Sequence, residues 1–174
     1  LPSLSLQGNE LNSCLNGEDG AKAQANDFVA LRKRVDAAWG QGKAQANNGG
    51  KELGKDEGHH VASPLPLLIG PDTHSSAEFK PDGIDWFTEF ANTTAAAGNV
   101  VDYHTFHMYS LGNGPKLDPN KLDASYLSPS SLGKCGDGVR ALQRALPESK
   151  RGTLWAGETA AANDGGQTGI TDTF

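Results

Sequence analysis

With 174 residues, 36% of them hydrophobic and 21% charged, the chain is long enough for one domain with a real core and has the composition of a globular protein. A net charge of −6 argues against a nucleic-acid partner, which needs a clustered basic surface. No apolar run approaches the roughly 20 residues of a membrane span, and two cysteines, Cys14 and Cys135, make no disulfide framework and read as two buried thiols, or as one pair where the fold brings them together.

Leu4-Ser5-Leu6-Gln7-Gly8-Asn9-Glu10 is a short strand-like run that ends on a glutamate with Asn9 beside it. The first residue is Leu1, and strand-like sequence begins almost at once, so the chain reads as a piece of a longer one. Residues 12–24 form a polar stretch with Gly17 and Gly20, expected to be a loop. Asn26 or Asp27 then caps a predicted helix with Phe28, Leu31, Val35 and Ala38 at helical spacing, ending at Trp39-Gly40. From Gly40 to Ser63 the sequence is rich in Gly, Asn and Lys and carries almost no large apolar residue. A flexible surface insertion is expected there.

Pro64 to Ile69 is the next predicted strand, halting at Gly70-Pro71-Asp72. Pro81-Asp82 opens a helix with Ile84, Trp86, Phe87 and Phe90 on its packing side. It contains the sequon Asn92-Thr93-Thr94, a glycan acceptor if the protein is secreted. Asn99 to Tyr109 reads as an aromatic-rich strand, followed by a long connection to Ser128. Pro129 starts a helix carrying Leu132, Val139, Leu142 and Leu146, weakened by Gly133, Gly136 and Gly138. Leu154-Trp155-Ala156-Gly157-Glu158 is the last strand, too short for a helix, and it delivers a second glutamate before a small-residue loop over 160–169.

Alternating strands and helices indicate parallel βα units. Glu10, Asp72, His107, Tyr109 and Glu158 all fall at strand C-termini, the face that holds the active site of a (β/α)₈ barrel. An open doubly wound sheet shares the alternation, but no Gly-x-Gly-x-x-Gly follows any strand. Four strands cannot close an eight-stranded barrel, so the fold class expected is α/β, an internal portion of a (β/α)₈ TIM barrel filling residues 1–174. Two facing carboxyls can hydrolyse a glycosidic bond, one protonating the leaving oxygen and the other attacking the anomeric carbon. Taken singly, a strand-end glutamate is more often a solvated or ion-paired group, and His107 and Tyr109 also suit ordinary aromatic packing. His104 and His107, three apart on a strand, face opposite sides and do not suggest a shared metal; His59 and His60 fall in the expected insertion.

Gly8-Asn9-Glu10-Leu11-Asn12-Ser13 resembles the Gly-Asn-Glu-Pro-Asn-Ser run that carries the acid/base of glycoside hydrolase family 79, the heparanase family, with Leu11 in place of the proline. Ile69-Gly70-Pro71-Asp72, Thr105-Phe106-His107-Met108-Tyr109, Trp155-Ala156-Gly157-Glu158-Thr159 and Thr171-Asp172-Thr173-Phe174 resemble later runs of the family in the same order. The resemblance implies that Glu10 is the acid/base and Glu158 the nucleophile of a retaining β-glycosidase, on strands four and seven of the barrel. It implies that Asn9 bonds the sugar hydroxyl beside the anomeric carbon, that Tyr109 donates to Glu158, and that His107 lines the pocket. Gly165 and Gly166 fall in the glycine loop whose amides contact a uronate carboxylate. The expected substrate is a glucuronate-containing polysaccharide or proteoglycan glycan, with no cofactor and no metal. The stretch Thr73-His74-Ser75-Ser76, where the heparanase cleft carries basic residues, argues against a highly sulfated glycan, and Asp164 sets a negative charge beside the uronate subsite, which counts against glucuronate recognition. An exo-β-glucuronidase, another clan A glycosidase, a glycan- or protein-binding pseudoenzyme and an inactive fragment stay open. The family also implies an extracellular or lysosomal location, with membrane association possible only through regions outside this chain.

Overall fold

The computed structural model describes residues 5–6, 15, 17–48, 66–73, 81–121, 126 and 128–164. The elements run β1 (Ser5–Leu6), α1 (Gly17–Asn48), β2 (Leu68–Thr73), α2 (Pro81–Ala96), β3 (Tyr103–Tyr109), α3 (Pro129–Ala145) and β4 (Leu154–Ala160). The four strands form one parallel sheet in sequential order, β1-β2-β3-β4.

Helix α1 departs from expectation at both ends. It begins at Gly17, where Glu18 and Asp19 lie in the first turn and complement the positive end of the helix dipole. Ala21, Gln24, Ala25 and Phe28 are all buried and fall at i, i+3, i+4 and i+7. The packing stripe thus starts in alanines, which a search for large apolar residues overlooks. The helix also continues through the glycines at 40 and 42 to Asn48, carried by Gln41, Lys43, Ala44, Gln45 and Ala46, all favourable helix formers. The rest of the expected insertion, 49–63, lies outside the described residues.

Strand β2 does not halt at Gly70-Pro71-Asp72 but runs through it to Thr73. Strand β3 starts later than expected, at Tyr103. Asn99 takes a positive φ of 57° and turns the chain, so Val100 and Val101 enter the core as irregular backbone. Helix α3 begins where Pro129 predicts, with the Ser128 hydroxyl accepting from the Ser131 amide at 3.2 Å as its N-cap. Cys135 on α3 is a free, half-buried thiol; Cys14 lies outside the described residues.

All three helices cover one face of the sheet. Ala21, Ala25 and Phe28 of α1 meet Leu68 of β2 and Trp86 and Phe90 of α2 in one cluster. Phe87 and Ala91 on the same α2 meet Phe106 of β3 and Leu142 and Leu146 of α3 in the next, with Leu154 of β4 packed against it. A doubly wound sheet would place helices on both faces and reverse its strand order. Neither occurs among the described residues: the sheet is singly wound. Gly70 lets this layer close, because a Cβ there would lie 2.3 Å from Cζ of Phe28.

Opposite the site, at the start of the strands, Arg32 ties α1 to the sheet. Its Nη2 donates to Asp102 Oδ2 at 2.6 Å and its Nη1 to the Pro66 carbonyl at 3.2 Å. The same Asp102 oxygen accepts from the Leu68 amide at 2.7 Å.

Candidate active site

Strand β3 alternates cleanly. His104, Phe106 and Met108 turn to the helices, where His104 lies edge-on to Phe87 and Phe90. Tyr103, Thr105, His107 and Tyr109 therefore share the open face. Burial, reinforced by the nearby positive charge of Lys150, lowers the His104 pKa to about 4, so this imidazole is neutral in the core.

By the same alternation Glu158 would not reach that open face. Leu154 packs toward the helices and Trp155 stacks on Tyr103, with ring centroids 4.0 Å apart. Strict period two would send residue 158 to the helix side with residue 154. The register prevents it: Phe106 pairs with Ala156 but His107 pairs with Glu158, leaving Gly157 as an extra residue on β4. This bulge re-aims Glu158. Its Oε2 accepts a 2.6 Å hydrogen bond from the Tyr109 hydroxyl and lies 3.5 Å from His107 Nδ1. The His107 side chain is fully buried, whereas that of Glu158 is 47% exposed.

A second irregularity does the same for Asp72. It shares parity with Leu68 and Gly70, both on the helix side, but the pairing of β2 with β3 shifts between Gly70 and Thr73. With φ of 58°, Asp72 places its Oδ1 3.3 Å from His107 Nε2, and its amide donates to Thr105 Oγ1 at 2.9 Å. Gly157 is again what leaves room, since a Cβ on it would lie 2.1 Å from Asp72 Oδ1. The outcome is a chain of polar contacts across three neighbouring strands, Asp72 to His107 to Glu158 to Tyr109, at their carboxyl ends.

Beyond the strands, the loops after β3 and β4 stay paired. Leu111 and Gly114 donate backbone amides to Ala161 and Asn163 carbonyls at 2.8 and 3.0 Å, and Asn163 donates to the Gly112 carbonyl at 2.9 Å. The Asn113 amide side chain also bonds the Asp164 carboxylate. The segment that follows Glu158 is thereby fixed to the segment that follows Tyr109.

Of the residues singled out in the sequence, the structure brings together His107, Tyr109 and Glu158. Glu10, Asn9, Gly165 and Gly166 lie outside the described residues. Sequence reasoning named Asp72 only as a strand-end carboxylate and missed both its contact with His107 and the bulge at Gly157. A glycine directly before the glutamate is the sole trace of that bulge. Among the described residues no group of three or more His, Cys, Asp or Glu is placed to hold a metal ion, and no helix is long and apolar enough to cross a membrane.

A singly wound parallel sheet with carboxylates, an imidazole and a phenol gathered at its strand carboxyl ends defines an α/β protein whose candidate site lies on that rim. Residues 56–174 match the glycosyl hydrolase family 79, N-terminal domain, and the chain belongs to that family. It is similar to heparanase-like protein 3 of Arabidopsis thaliana, 28% identical over 169 residues that make up 96% of this chain and 25% of that protein. It is also similar to baicalin-beta-D-glucuronidase of Scutellaria baicalensis, 31% identical over 127 residues, 71% of this chain and 20% of that protein. The chain thus spans a quarter or less of the length of these relatives.

Proposed function

We propose that this chain supplies strands four to seven of a (β/α)₈ catalytic domain in a retaining β-glycosidase that hydrolyses glucuronate-containing polysaccharide or proteoglycan glycans. The observation that carries this reading is the 2.6 Å hydrogen bond from Tyr109 to Glu158 at the carboxyl ends of adjacent parallel strands. It holds one carboxylate oxygen still and leaves the partly exposed group facing the open side of the sheet. Glu158 is the nucleophile: it attacks the anomeric carbon and forms a glycosyl ester. Glu10 is the acid/base: it protonates the leaving glycosidic oxygen and then takes a proton from the water that cleaves the ester. Asn9 bonds the neighbouring sugar hydroxyl, and Gly165 and Gly166 offer amides to the uronate carboxylate. No cofactor takes part. The family's usual setting points to an extracellular or lysosomal enzyme.

A second reading, an exo-acting β-glucuronidase, is favoured by the similarity to a protein named baicalin-beta-D-glucuronidase. The stretch Thr73-His74-Ser75-Ser76, which carries no Lys or Arg, favours it as well.

The test uses the full-length polypeptide that carries these residues, assayed on an aryl β-D-glucuronide and on a glucuronate-containing polysaccharide. Turnover should give the β-anomer as first product, seen by proton NMR, and Glu158→Gln should abolish turnover while leaving ligand binding intact. Unchanged turnover in Glu158→Gln removes the assignment. Hydrolysis of the aryl glucuronide alone selects the exo-acting reading.

A further inference from the structure

Asp72 is a member of the rim cluster to which the proposed hydrolysis gives no task, yet it is less exposed than Glu158. Its side chain is 14% exposed against 47%. Three independent features aim it: the register shift in β2, the amide bond to Thr105 Oγ1, and the absent side chain at Gly157. A strand-end aspartate with no role beyond solubility needs none of these. A non-glycine residue at φ of 58° is also uncommon, although Asp and Asn tolerate that region better than most.

The geometry points to Asp72 as a positioning residue for the hydrolytic reaction, acting through the His107 ring to hold Glu158 in its attacking orientation. This rests on the reading of Glu158 as nucleophile. An imidazole presents its two nitrogens in fixed directions within one plane, so a contact at one nitrogen sets the direction of the other. Here Nε2 faces Asp72 Oδ1 at 3.3 Å from β2, and Nδ1 faces Glu158 Oε2 at 3.5 Å from β4. The ring thus stands between the two carboxylates, with one of them facing each nitrogen. Tyr109 bonds the same Oε2 from the next inward-facing position of β3, so the carboxylate is fixed from two directions. Attack on an anomeric carbon needs the nucleophile oxygen in line at about 3 to 3.5 Å, and small misplacements there are costly.

Kinetics of the full-length enzyme on an aryl β-D-glucuronide decide it, with Asp72→Asn, His107→Gln, the double variant and Asp72→Gly. Asn keeps the shape and tolerates the positive φ, and Gly keeps the φ if Asn fails to fold. Asp72→Asn should lower kcat by about tenfold to a hundredfold, with KM changed less than about threefold. In the His107→Gln background the same change should cost almost nothing more, because the route it acts through is gone. Full kcat in Asp72→Asn or Asp72→Gly, or losses that multiply in the double variant, overturns the inference and leaves Asp72 a structural role. Glu158→Gln is run alongside. If it is inactive while Asp72→Asn is fully active, only the positioning role falls; if it retains turnover, the nucleophile assignment itself falls.

Discussion

The Tyr109 hydroxyl donates to Glu158 Oε2 across 2.6 Å, a direct bond from the last residue of β3 to the carboxylate on β4. A hydrogen bond to an ionised group contributes about 1.5 to 3 kcal/mol, so Tyr109→Phe should lower kcat/KM roughly tenfold to a hundredfold. The ring itself stays, so the thermal midpoint should move little. Steady-state kinetics with a melting curve check both halves; wild-type kcat/KM in this variant would show that the bond plays no part in turnover.

His104 gives the fold a pH dependence of defined sign. Its folded pKa of about 4 lies below the value of about 6.5 for a free imidazole. Between those limits the unfolded chain binds a proton that the folded chain does not. Stability from this group is therefore complete above pH 6.5 and is lost as pH falls toward 4, by roughly 3 kcal/mol in all. His104→Gln removes that dependence. Denaturant midpoints of the full-length protein at pH 7 and pH 5 should converge in the variant relative to wild type; an unchanged difference would place the titrating group elsewhere.

How far the sequence reveals this site depends on where period two holds. Along β3 it holds throughout, so the opposite orientations of His104 and His107 can be read directly from their spacing. Along β2 and β4 it fails, and it fails at the two carboxylates: regular alternation sends both Asp72 and Glu158 to the helix face, and only the shift before Thr73 and the extra residue Gly157 return them to His107. Bulges depend on pairing with a neighbour, which a single strand does not encode. Likewise the helix preceding β2 is legible at Phe28, Leu31 and Val35, but its start is carried by Ala21 and Ala25, whose burial depends on how closely α2 approaches. The βα alternation is plain from the chain; that all helices share one face follows only from their mutual packing.

Gly70 and Phe28 should behave as a coupled pair. Alanine at position 70 forces its methyl group against a ring that is itself buried edge-on to Phe90 at 5.3 Å between centroids. Overpacking of this kind costs about 1 to 3 kcal/mol. Phe28→Leu alone should also destabilise, by leaving a cavity, but in the Gly70→Ala background it should recover part of the loss. Chemical denaturation of the single and double variants measures the coupling; strictly additive losses would mean that the new methyl group meets something other than the ring.

The Arg32–Asp102 pair predicts a stability effect separable from the chemistry, because it sits at the other end of the strands. Asp102 Oδ2 serves two donors at once, the Arg32 guanidinium at 2.6 Å and the buried Leu68 amide at 2.7 Å. Asp102→Ala therefore leaves the amide without its side-chain acceptor and takes from a partly buried guanidinium its nearer carboxylate, leaving it only Asp36 at 3.5 Å. Removing one partner in such an arrangement costs about 2 to 4 kcal/mol. Arg32→Ala should cost less, since Asp102 keeps the amide and water can reach its carboxylate. Both variants should retain wild-type kcat where folded, as neither residue touches the rim that carries Glu158. An equal loss of stability in the two variants would mean that the ion pair, rather than the amide bond, dominates; a fall in kcat at full folding would mean that the two ends of the sheet are coupled.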